Sequence, residues 1–208
     1  MPHSLPTFHI MPAGWDYPAW VEEFYPEDLP EDWRLSYFAN EFSEVLVPQV
    51  SWVDAGTDQL QSWIDDVSED FRFFLEISDP VELSICDKQA EVLGSNLGGL
   101  VLAQNIAEKG WCKEFVAMDQ QHGGKVFLMT EASFYKPMPT FPQSAGMGVA
   151  LSFTGKDCGD LAAQRGFFQQ LQEKVQPDAQ VLLCFAGAPP ALESINKLRL
   201  LARLMGLA

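Results

Sequence analysis

Short, nearly unbroken apolar runs alternate along the chain with longer stretches in which apolar side chains recur every three or four positions. The runs predict strands over 9–14, 44–50, 71–77, 100–106, 126–131, 148–154 and 180–185. The intervening periodicity predicts helices over 32–42, 58–67, 81–97, 110–121, 160–176 and 192–205. Asp160 stands where a side-chain oxygen can cap the fifth of these, and Leu161, Phe167, Phe168 and Leu171 fall on one face of it. Strands that are apolar on both faces, separated by crossover helices, make a parallel sheet covered on both sides.

Such a sheet either closes into a barrel or stays open and doubly wound. The open dinucleotide-binding form needs a glycine-rich turn after the first strand, and Met11-Pro12-Ala13-Gly14 stands there instead. Seven strands in 208 residues fall short of an eight-unit barrel of ~250 residues. The expectation is therefore an α/β fold: a contracted or incomplete TIM-like (β/α) barrel with about seven parallel strands, formed by one domain over 1–208. The stretch 133–147, with Pro137, Pro139, Pro142, Phe134, Tyr135 and Phe141, reads as an irregular loop after a strand's C-terminal end, a place where function concentrates.

Gly14-Trp15-Asp16-Tyr17-Pro18 with Trp20, followed by Phe24-Tyr25-Pro26, Leu29-Pro30, Leu35, Tyr37, Ala39 and Phe42, resembles the opening βα unit of the YecE-like proteins, the domain of unknown function family 72. The resemblance implies a TIM-like barrel and a pocket at its mouth; the family's activity is unassigned. Where relatives carry Glu and Asn on the second strand, this chain has Leu46 and Pro48. Where they carry Lys on the third, it has Glu76. The later Arg-x-His-Gly becomes Ser152-Phe153-Thr154-Gly155, and the final Phe-Asn-Asn becomes Phe185-Ala186-Gly187. Gln104 matches a family glutamine. The apolar frame is kept while the polar groups implied at the mouth are exchanged, so the resemblance implies a divergent, shortened member. Residues 105–147 align with nothing in the family.

The formal charge is -16, and it is lopsided: residues 1–100 hold 20 acidic and 3 basic side chains, whereas 101–208 hold 9 and 10. An acidic surface repels phosphate backbones, which argues against nucleic acid; the excess serves either solubility or the steering of a basic protein partner drawn in by the field. Cys86, Cys112, Cys158 and Cys184 lack metal or redox spacing, no signal peptide is evident, and no apolar run reaches the roughly 20 residues of a membrane span. A reduced, cytoplasmic protein is expected, off the membrane, and its oligomeric state is not readable. His3, His9 and His122 are not spaced as ligands, so neither metal nor cofactor is expected.

Two functions follow. The first is a non-catalytic, degenerate barrel acting as a protein-binding or regulatory module through its acidic N-terminal half and its aromatic, proline-rich loop. Its pocket would draw on Trp15, Tyr17, Gln49, Trp52, Gln104, Phe153 and Phe185. The alternative is a small enzyme of hydrolase or lyase type, in which Glu76 and Glu131 at strand ends share acid and base roles. It requires both carboxylates to face one cavity.

Overall fold

Every apolar run forms a strand in the computed structural model, which describes residues 5–103, 126–139, 148–154, 159–177, 179–187 and 189–207. The strands are β1 (Thr7–Pro12), β2 (Glu44–Val47), β3 (Arg72–Ile77), β4 (Leu97–Leu102), β5 (Val126–Glu131), β6 (Gly148–Phe153) and β7 (Gln180–Phe185). The described helices are α1 (Arg34–Ala39), α2 (Gln49–Trp52), α3 (Thr57–Asp65), α4 (Leu83–Leu93), α5 (Leu161–Lys174) and α6 (Leu192–Leu204). None of them is long and apolar enough to cross a membrane. Gln104, Cys112, His122, Phe141, Cys158 and the helix expected over 110–121 lie outside the described residues.

Several boundaries shift by a few residues, and three of the shifts have a clear local reason. The strand expected over 44–50 stops at Val47, because Pro48 has no N–H for the ladder and Gln49 starts a helical turn. The helix expected over 81–97 stops at Leu93, where Gly94 takes a φ of 51° that ends the α ladder. The strand expected at 100 begins at Leu97: Phe73 pairs with Leu97 and Phe74 with Gly99, so Gly98 is accommodated as a bulge.

All pairings are parallel, in the order β1-β7-β6-β5-β4-β3-β2. The two end strands meet as well. Gly14 N–H donates to the Leu46 carbonyl at 2.7 Å beside a parallel bridge between Ala13 and Leu46, which nearly closes the barrel. At the other end of this seam His9 Nδ1 lies 2.8 Å from Glu44 Oε2. Outside it, α6 is pinned to the turn before β2: Arg199 donates to the Glu41 carbonyl at 2.9 Å and its guanidinium lies 4.9 Å from the Phe42 ring centre.

Strand alternation sorts the apolar side chains into two cores. Met11, Ala13, Leu46, Phe74, Val101, Phe127, Ala150, Leu182 and Cys184 fill the barrel interior. The alternate residues, among them Phe73, Leu75, Leu102, Phe153 and Phe185, pack outward against the helices. Phe74 and Phe127 cross the interior edge to face, 5.9 Å apart. Each needs a glycine beneath it: a Cβ on Gly98 would fall 2.6 Å from the Phe74 ring, and one on Gly148 would fall 2.4 Å from that of Phe127.

Candidate functional site

In a parallel barrel the C-terminal ends of the strands open onto one face, where the connecting loops build binding sites. Here the turn after β1 sets the geometry. Gly14 takes a φ of 72°, which suits a residue without Cβ. The turn it allows brings the Tyr17 hydroxyl 2.6 Å from the Ala13 carbonyl, to which it donates. Trp20 then drives inward, fully buried, and donates through Nε1 to the Pro190 carbonyl at 3.2 Å. Around it Phe24, Tyr25 and Phe38 stack or meet edge to face, and Tyr25 Oη donates to the Trp15 carbonyl. Buried Arg34 hydrogen-bonds to Asp16, holding that aspartate at the lip.

The result is a cleft of about 650 Å³ between the turn after β1 and the α2–α3 segment, within the size range of ligand sites. Trp15 and Tyr17 form one wall, Pro48, Val50, Ser51 and Asp54 the other, and Gln59 and Trp63 close it. Trp15 is braced edge-on against Trp63, with ring centres 5.0 Å apart. Among the described residues, no Lys, Arg or His side chain lines the cleft. Asp16 is paired with Arg34, whereas Asp54 is exposed and forms no ion pair among the described residues.

Beside the cleft, Glu76 ends β3 on the inward face above Phe74. Burial pushes its carboxyl pKa up and the charge of Asp79 adds to this, while the Gln49 backbone N–H bonded to the carboxylate opposes them. The Tyr17 phenol is raised as well, by burial and then by the charge of Glu76. Glu131 is exposed at the end of β5, two strands away, and is not among the charges acting on Glu76. The coupled carboxylate pair required by the enzyme alternative is not formed by these two residues.

The pocket residues expected from sequence divide. Trp15 and Tyr17 line the cleft. Trp52 does not, because its ring is wholly buried and its Nε1 donates to the Glu76 carbonyl at 2.9 Å. Gln49 is occupied: its Oε1 accepts the backbone N–H groups of Ser78 and Asp79 at 2.8 and 2.9 Å. Phe153 and Phe185 point outward beneath the helices, stacked 4.9 Å apart, because their inward neighbours are Ser152 and Cys184. Gln104 lies outside the described residues. Part of the proline-rich loop is core too, since Phe134 and Met138 are buried while Tyr135 is exposed. Sequence reasoning missed Ser51, Asp54, Gln59 and Trp63, which reach the site only because Pro48 turns the chain out of the strand. That proline was the available signal.

The two described cysteine thiols, Cys86 and Cys184, are both buried. Burial pushes Cys86 up to about 12, and Cys184, enclosed in the barrel, is raised further, so both stay protonated at neutral pH. Among the described residues no three His, Cys, Asp or Glu side chains converge as metal ligands.

Residues 9–89, which hold the β1 turn, α2, α3 and Glu76, match the sequence model of the family described as protein of unknown function DUF72. The chain is DUF72-like. Its fold agrees: a DUF72 family protein from Thermotoga maritima superposes with a TM-score of 0.67 at 13% identity, over 95% of this chain and 99% of that one. A DUF72 family protein from Enterococcus faecalis gives 0.51 at 10% identity, over 99% and 100%. The 3-dehydroquinate dehydratase of Geobacillus kaustophilus gives 0.55 at 6% identity, over 96% and 91%. At these identities the likeness establishes the barrel alone. No curated protein matches the DUF72-like chain in sequence.

Proposed function

We propose that this DUF72-like barrel is a non-catalytic binding module that engages a basic protein partner through its acidic N-terminal half. The observation that carries the reading is the cleft at the mouth, which holds Trp15, Tyr17, Asp16 and Asp54 and, among the described residues, is lined by no cationic side chain. An acidic field focused on an aromatic recess favours cations and speeds their arrival. At four of the seven strand ends, Ala13, Pro48, Ala103 and Ala186 contribute no side-chain acid, base or hydrogen-bond donor, which leaves Glu76, Glu131 and Ser152 with Thr154 as the polar groups at the other three. The exposed Tyr135 of the proline-rich loop is a second contact on the same module.

Fluorescence anisotropy with labelled Lys/Arg-rich and Asp/Glu-rich peptides, at about 0.05 and 0.5 M salt, tests the reading. The basic peptides are expected to bind and to weaken steeply with salt. Equal binding of acidic peptides, or no binding of basic ones at low salt, would overturn it.

The enzyme reading retains one specific observation: the raised Glu76 carboxyl beside Tyr17. It would use Glu76 alone as an acid at the mouth. Hydrolysis or elimination that disappears in Glu76→Gln while the fold is retained would establish it.

A further inference from the structure

We infer that the cleft seats one cationic side chain, a guanidinium or an alkylammonium, of the partner segment against Trp15 and Tyr17, with Asp54 as its counter-charge. The inference rests on the binding reading above and assigns that reading its specificity residue.

The argument starts from what each lining group has left to offer. Asp16 is committed to Arg34, and the Tyr17 hydroxyl is committed to the Ala13 carbonyl, so neither is a free polar hook. What Tyr17 and Trp15 still present is half-buried aromatic surface, held rigid by Trp20 on one side and Trp63 on the other. A rigid aromatic surface attracts a cation through its quadrupole and loses little entropy on binding. Asp54 supplies an exposed carboxylate that makes no ion pair among the described residues, and the charge of Glu76 acts on Tyr17. An anionic ligand would meet Asp16 and Asp54 with no compensating cation among the described lining residues. A neutral apolar ligand would leave Asp54, Ser51 and Gln59 without partners. A cation on an apolar stem satisfies all of these groups together. At about 650 Å³ the cleft also has room for the backbone on either side of that side chain.

The test separates this inference from the broader reading. A basic peptide that binds the wild-type protein is resynthesised with each arginine in turn replaced by citrulline, which keeps the shape and removes the charge. Its binding is then measured on Asp54→Asn, Asp54→Lys and Ser51→Trp, with thermal melts to confirm folding. Asp65→Asn/Asp66→Asn, which alters charge away from the cleft, serves as the control. Amide NMR shifts on titration, and the indole N–H of Trp15, report the place of contact.

One arginine is expected to dominate. Asp54→Asn should weaken the peptide about threefold, the scale of one exposed charge pair. Asp54→Lys should weaken it by tenfold or more, since like charges are then juxtaposed. Ser51→Trp should abolish binding by filling the cleft, and shifts should centre on 14–17 and 51–55. A control variant that weakens the peptide as much as Asp54→Asn, or shifts that map elsewhere, would overturn the cleft assignment and leave the basic-partner reading standing. Failure of every basic peptide would overturn both. Acetyl-arginine amide binding as tightly as the peptide would support the cleft but assign it to a small cationic metabolite, against the protein-partner reading.

Discussion

Gly148 and Gly98 hold the barrel interior together by what they lack, since the rings of Phe127 and Phe74 lie where their side chains would be. Gly148→Ala should therefore destabilise the fold by about 1–3 kcal/mol, the usual cost of overpacking. Phe127→Leu in the same chain should recover part of the loss, and denaturant melts of the double-mutant cycle measure the coupling. Additive effects would mean that the ring simply moves aside. Glu76 carries the opposite kind of strain. Its carboxyl pKa is raised by burial, so between the ordinary carboxylate range and the higher folded value the native state binds more protons than the unfolded chain. The sign follows: its contribution to stability falls as pH rises through that interval. Glu76→Gln keeps an acceptor for the Gln49 N–H and removes the charge. Relative to wild type, the variant should gain stability at neutral pH and lose that advantage near pH 4. A difference that does not change with pH would show that the carboxylate is well solvated.

Among the helices, the starts of α5 and α6 were legible to the residue, and α5 also through its cap. Asp160 Oδ1 accepts the Ala163 N–H at 2.8 Å, and Phe167, Phe168 and Leu171 are buried as their spacing implies. Asp160→Ala should cost about 1 kcal/mol, read as a lowered melting temperature, with Asp160→Ser restoring most of it. Strands β5 and β7 were equally legible, being unbroken apolar runs with no competing helical period. The region from Val47 to Ala55 was not. Its apolar residues continue past Pro48, so a period-based reading extends the strand, whereas the missing proline N–H ends the ladder and starts α2. That single turn carries Ser51 and Asp54 to the cleft and sends Trp52 into the core, where its indole finds the Glu76 carbonyl. Phe153 and Phe185 were named for the pocket on residue type. The face they occupy is set by register, and an odd or even count along the strand decides it.

For the whole molecule, charge and closure matter together. A net charge of -16 with nearly all of its excess in residues 1–100 repels itself across β1, β2, β3 and their helices. Raising salt from about 0.02 to 0.3 M should screen that repulsion and lift the melting temperature by a few degrees. A flat or falling dependence would mean that ion pairs such as Arg34–Asp16 and Lys197–Glu193 outweigh the repulsion. The chain alone determined a parallel α/β barrel, because apolar period and crossover spacing are local properties that survive reading one residue after another. It also determined that Trp15 and Tyr17 would stand together after the first strand. Only the tertiary structure decided how β1 meets β2, which rings fill the barrel and which cover it, and that Asp54 shares one cleft with Trp15 and Tyr17 while Glu131 lies two strands from Glu76. Those are distances between segments far apart in sequence, fixed by register and closure, and no pattern along a single strand or helix encodes them.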